Sequence, residues 1–217
     1  FPDVWNPVLV KDLRAALRGR VFAWVFPVVL GAAVILASVR LAGVERVLAA
    51  GYGSARDMTL GPVVFAPTYV MMCVALFGLV PVSAFFSLAG EWEENTHDLL
   101  SISDLRPRRV VLGKLLSAGI EAALYFSAFA PILVFAFVLR GLEPGSLFLV
   151  LMVTLADSLG ASALALALSS LARNRLLRIV CLCFLAAGAF GLIALATSFS
   201  AHMLQSAAST GRGVSEL

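Results

Sequence analysis

Charge is scarce in this chain. Aspartate, glutamate, lysine and arginine make up 13% of its 217 residues, about half the share of ordinary globular domains. Histidine occurs twice and cysteine three times. Cys73, Cys181 and Cys183 all fall inside apolar runs. The Cys-x-Cys pair points in two directions on a helix and has no histidine or carboxylate company, so it reads as packing and not as a metal site. A phosphate-binding loop is also missing. Gly113-Lys114 has neither the upstream glycine spacing nor the following hydroxyl residue, so the chain is expected to bind no nucleotide and to be no enzyme itself. No basic patch is interleaved with aromatics, so the net charge of +3 implies no nucleic-acid partner. The strict alternation of outer-membrane barrel strands is absent too. The chain opens on a charged amphipathic stretch, where a cleavable signal would place a short basic region and an apolar core.

What the chain does have is apolar length. Hydrophobic residues are 61% of the total, gathered into five runs at residues 21–39, 62–89, 111–139, 146–171 and 177–199. A bilayer core of roughly 30 Å takes about 20 residues of helix, and backbone groups in lipid must be satisfied within the segment. The fold expected is an all-α integral membrane protein of one permease-like domain, with about five transmembrane helices. The second run holds Pro62, Pro67, Gly78 and Pro81, which predicts a kink, a tilt or a start outside the lipid.

Orientation follows the basic residues. With the N-terminus inside, the inner connectors carry eleven (Lys11, Arg14, Arg18, Arg20, Arg106, Arg108, Arg109, Lys114, Arg173, Arg175 and Arg178). The outer ones carry five: Arg40, Arg46, Arg56, Arg140 and Arg212. The positive-inside bias selects a cytoplasmic N-terminus and an outer C-terminus in a plasma membrane, a bacterial inner membrane being the expected one. His97 and His202 then lie on opposite sides, so no histidine relay is expected.

Asn6-Pro7 is a helix start, and Val10, Leu13 and Leu17 share one face while Lys11, Arg14 and Arg18 share another. That pattern predicts an interfacial amphipathic helix ending at Arg20, or a plain cytoplasmic extension of the first span. Leu41 to Gly61 reads as an outer loop, Gly141 to Gly145 as a tight outer turn and Ala172 to Arg175 as a tight inner turn. Residues 200–217 read as an outer tail. The connector from Gly90 to Lys114 is acidic first, with Glu91, Glu93, Glu94 and Asp98, and basic later. Asn95 or Thr96 can cap a short helix there, from which Leu99 and Leu100 project as a docking knob. The plainer reading is a solvated charged loop.

The chain resembles the membrane-spanning subunits of type-2 ATP-binding-cassette exporters. Asn6-Pro-Val-Leu-Val-Lys-Asp-Leu-Arg14 is similar to that family's elbow helix. Glu94-Asn-Thr-His-Asp-Leu-Leu100 is similar to its acid-Gly-Thr-Leu-Glu-x-Leu-Leu segment, and Leu112-Gly-Lys-Leu-Leu116 to its Gly-Lys start of the third span. The likeness covers about the first 140 residues, and more loosely the rest. It implies that Glu94, Asn95, Thr96, His97, Asp98, Leu99 and Leu100 form a cytoplasmic coupling helix docked on a separate cytosolic ATPase. ATP and magnesium then belong to that ATPase, and the permease pairs with a second copy or a paralogue. Asn95 stands where the family has glycine, and His97-Asp98 where it has Leu-Glu. The family has six spans, so a chain with five reads as a truncated or partly observed subunit, cut before a sixth span, or as a divergent member.

Two carboxylates fall within runs, at a cost of about 2.5–3.5 kcal/mol for an aspartate at mid-span. Glu121 has Ser117 and Tyr125 four residues to either side, and Asp157 has Thr154 and Ser158 as candidate hydrogen-bond donors. They read as a polar substrate path, as a proton-titrating pair, or as helix–helix clamps. Two other functions stay open: a proton-coupled secondary transporter built on Glu121 and Asp157, although no internal repeat supports it, and a membrane enzyme or assembly scaffold. The transported substrate carries no readable code.

Overall fold

The computed structural model describes residues 20–49, 60–93, 107–139, 144–172 and 174–215. They form helices, with no strand among them: α1 (Arg20–Ala49), α2 (Gly61–Cys73), a six-residue π-helix (Val74–Leu79), α3 (Val80–Glu93), α4 (Pro107–Val138), α5 (Pro144–Leu171) and α6 (Arg175–Ser215). Among the described residues five stretches are long and apolar enough to cross a bilayer: Phe22–Arg46, Gly61–Gly90, Val110–Val138, Pro144–Leu171 and Arg175–His202. The second joins α2, the π-helix and α3. The chain is an all-α, multi-pass membrane protein.

Proline sets several helix starts. Pro62 lies in the first turn of α2, and Pro107 and Pro144 open α4 and α5, where a missing N–H costs nothing. Between α5 and α6 the turn is short. The Ala172 N–H donates to the Ser169 carbonyl at 3.2 Å, and the Arg178 N–H donates to the Asn174 carbonyl at 2.9 Å.

Two boundaries differ from the sequence reading. Helix α1 does not stop before Leu41 but runs through Arg40, Glu45 and Arg46 to Ala49. Leaving the hydrocarbon does not by itself end a helix, and Leu41, Val44 and Leu48 keep helical spacing. Helix α6 likewise continues to Ser215, through most of the expected tail. The interfacial helix expected up to Arg20 falls outside the described residues except for Arg20 itself. The coupling segment from Glu94 to Leu100 lies wholly outside them.

The second span is the axis of the bundle. Over its most apolar stretch 56% of residues are buried, against 11% for the first and fifth spans. Val64, Phe65, Tyr69, Met72, Leu76, Phe77 and Val80 all sit in the core with Ala122, Tyr125, Phe129 and Val150. Helix α1 packs mainly along α2, and its first turns also meet α4 through rings: Phe22 and Phe26 stack on each other at 5.3 Å and lie 5.8 and 5.4 Å from Tyr125. In lipid such contacts act through close packing, since burial removes no water.

Candidate functional site: a polar seam along the second span

The seam begins at an interruption in backbone hydrogen bonding. The Val80 N–H donates to the Ala75 carbonyl, five residues back. An α-helix would have given that N–H to Leu76. In the π pattern the Leu76 carbonyl falls to residue 81, which is proline and has no N–H. The orphaned acceptor is filled from another helix: Ser158 Oγ of α5 donates to it at 2.9 Å. In a bilayer an unmet carbonyl is costly, so the π-helix, Pro81 and Ser158 form one unit.

Two further contacts tie the second span to α5. Thr154 Oγ1 donates to the Val150 carbonyl at 2.7 Å, so Tyr69 Oη is the donor in its own 2.7 Å contact with Thr154 Oγ1. Ser169 Oγ donates to the Phe85 carbonyl at 2.9 Å. The pairs 69–154, 76–158 and 85–169 ascend together, so the second and fourth spans run parallel.

On the other side, α4 supplies the charged groups. Glu121 is buried, and Ser83 Oγ donates to its Oε2 at 2.6 Å. The same hydroxyl reaches the Val80 carbonyl at 2.9 Å, so it is held between its own helix and Glu121. Lys114, two turns earlier on the same face of α4, is 2% exposed. Its Nζ donates to Ser87 Oγ at 2.8 Å and to the Ser87 carbonyl at 3.1 Å. Ser83 and Ser87, one turn apart on α3, thus meet Glu121 and Lys114, about 10 Å apart along α4.

Three expectations change here. Lys114, counted among the basic residues of the inner surface, is inside the bundle. Thr154 and Ser158 do not donate to Asp157, because each is engaged elsewhere. Asp157 faces outward from α5, within electrostatic reach of Tyr69, while Glu121 is enclosed between α3 and α4, so the two carboxylates do not share one site. The sequence reading does not single out Ser83, Ser87 or Ser169. The available signal was spacing alone: four residues between Ser83 and Ser87, seven between Lys114 and Glu121.

Comparison with protein-family models, curated proteins and solved structures gave no match. Any functional reading therefore rests on this chain's own residues and geometry.

The two carboxylates are expected to respond oppositely to substitution. Glu121→Leu removes the hydrogen bond that joins α4 to Ser83, leaving that hydroxyl only the Val80 carbonyl of its own helix, and should lower stability by about 1 kcal/mol. Asp157→Leu removes an outward-facing charge at mid-span, and should leave the purified chain as stable as before or more so. Thermal unfolding of both variants in one detergent is the check, and equal losses would contradict the placement of Asp157.

Proposed function

We propose that this chain is the permease half of an ATP-binding-cassette exporter, working with a second permease and two cytosolic ATPase subunits that supply ATP and magnesium chemistry. The reading rests on the ordered likeness of Asn6 to Arg14, Glu94 to Leu100 and Leu112 to Leu116 to that family's motifs. One structural observation supports it mechanically. The 94–106 connector joins the end of α3 to the start of α4, and the Lys114–Ser87 contact clamps those helices seven residues after Pro107 and six before Glu93. About 10 Å from the connector, then, its two flanking helices are fastened together. Force applied to the connector moves α3 and α4 as one body, and the contacts of Leu76 and Phe85 carry it to α5.

A cytoplasmic N-terminus in a bacterial plasma membrane belongs to the same proposal. A proton-coupled carrier is the weaker reading, because Glu121 and Asp157 occupy separate environments.

The test is co-purification. Leu99→Glu with Leu100→Glu should abolish association with an ATPase subunit from native membranes, while the variant still inserts and retains its helicity. An ATPase that stays bound to the double variant refutes the docking assignment.

A further inference from the structure

A groove of about 430 Å³ lies between α1 and α2, lined by none of the residues of the polar seam. Leu36, Pro62, Val63, Ala66, Pro67 and Val70 form its walls, and Arg40 is the one charged residue lining it among the described residues. Its size falls in the range of small-molecule pockets, roughly 300–1,000 Å³. The compact side chains of Ala66, Pro62 and Pro67 leave the space that longer residues on α2 would fill.

Depth along the second span identifies the surroundings. The span Gly61–Gly90 is centred near Leu76. Pro62 is 14 residues from that point and Val70 six, or about 21 Å and about 9 Å of helix. Half of a typical hydrocarbon core is about 15 Å. The groove thus runs from the outer end of the second span toward acyl-chain depth; Arg40, one turn beyond Leu36 and six residues from the middle of the Phe22–Arg46 span, has a side chain long enough to reach toward the head groups. Arg40 is exposed and makes no hydrogen bond or ion pair among the described residues. No acidic residue lines the groove among the described residues.

We propose that this groove seats an acyl chain of an anionic phospholipid whose phosphate pairs with Arg40. The guanidinium presents a planar fork that matches phosphate oxygens, and a cation above an apolar slot complements an anionic head above a hydrocarbon tail. The inference is independent of the exporter reading, since it uses neither the connector nor a partner ATPase.

Native mass spectrometry of the full chain in detergent tests it. Phosphatidylglycerol and phosphatidylcholine of identical acyl chains are offered in competition, with inorganic phosphate as a separate arm. Phosphatidylglycerol should be retained about fivefold over phosphatidylcholine, the effect of one basic residue at a membrane surface. Arg40→Gln should remove that preference while leaving helicity unchanged. Ala66→Phe, which fills the groove, should reduce retention of both lipids, and Leu36→Trp should do the same from the opposite wall if the first variant fails to fold. Inorganic phosphate alone should not compete. The proposal is overturned if Arg40→Gln keeps the preference, if a folded groove-filling variant retains both lipids, if free phosphate competes fully, or if a second copy of the chain occupies the groove instead.

Discussion

Tyr125→Ala is expected to destabilise the protein by about 3 kcal/mol and to loosen the first span from the bundle. The ring is almost wholly buried and touches both Phe22 and Phe26, and deleting a buried aromatic leaves a cavity that surrounding helices fill only in part. The loss falls on the first turns of α1, which these rings join to α4, while the longer packing of α1 along α2 remains. Equilibrium unfolding by denaturant in a fixed detergent measures the cost. Thiol labelling of a cysteine placed at Ala33, a core residue of α1, reports the loosening: labelling should be slow in the parent and fast in the Tyr125→Ala background. Tyr125→Phe, which keeps the ring, should behave nearly as the parent. Equal labelling rates in all three would show that α1 is held by something other than these rings.

The second large effect concerns the π-helix. Ser158→Ala should cost about 1–3 kcal/mol, because it leaves the Leu76 carbonyl without a donor in a buried, lipid-enclosed position. The diagnosis can be separated from ordinary loss of packing. Pro81→Ala returns an N–H to the backbone at the place where the π pattern needs one. In that background Ser158→Ala should cost less, giving a coupling energy of about 1 kcal/mol between two residues on different helices. Strict additivity in the cycle would mean that Pro81 is not the reason Leu76 lacks a partner.

The five spans were readable because membrane insertion imposes a coarse demand, about 20 apolar residues at a time, and the 21–39, 62–89, 111–139, 146–171 and 177–199 runs each come near it. Their ends were less readable. Arg40 marks an end of apolar character and not the end of the helix, because hydrogen bonding along a helix is indifferent to the solvent it enters. The interior was the least readable. In a soluble helix the polar face reveals the buried one by contrast, but here Trp24, Phe86, Phe148 and Phe184 point outward while Tyr69 and Phe85 point inward, so apolar character does not separate the sides. Lys114 follows a basic connector and so reads as a surface residue, although it stands on the buried face of α4 with Ser117, Glu121 and Tyr125. Asp157 was given Thr154 and Ser158 as partners on sequence proximity. Those hydroxyls are spent on Val150 and Leu76, a competition that only packing reveals.

The wide turn at Val74–Leu79 has one last effect, on rotational phase. Inward-facing positions of α2 fall at 61, 64, 65, 68, 69, 72 and 73; in α3 they resume at 80, 81, 84, 85 and 89, about one residue later than an unbroken 3.6-residue period would place them. One added residue turns everything below it by about 100°. Without that offset, a straight rod directing Tyr69 at Thr154 would swing Ser83 and Ser87 away from Glu121 and Lys114. The second span therefore works as two differently aimed half-helices in one continuous backbone.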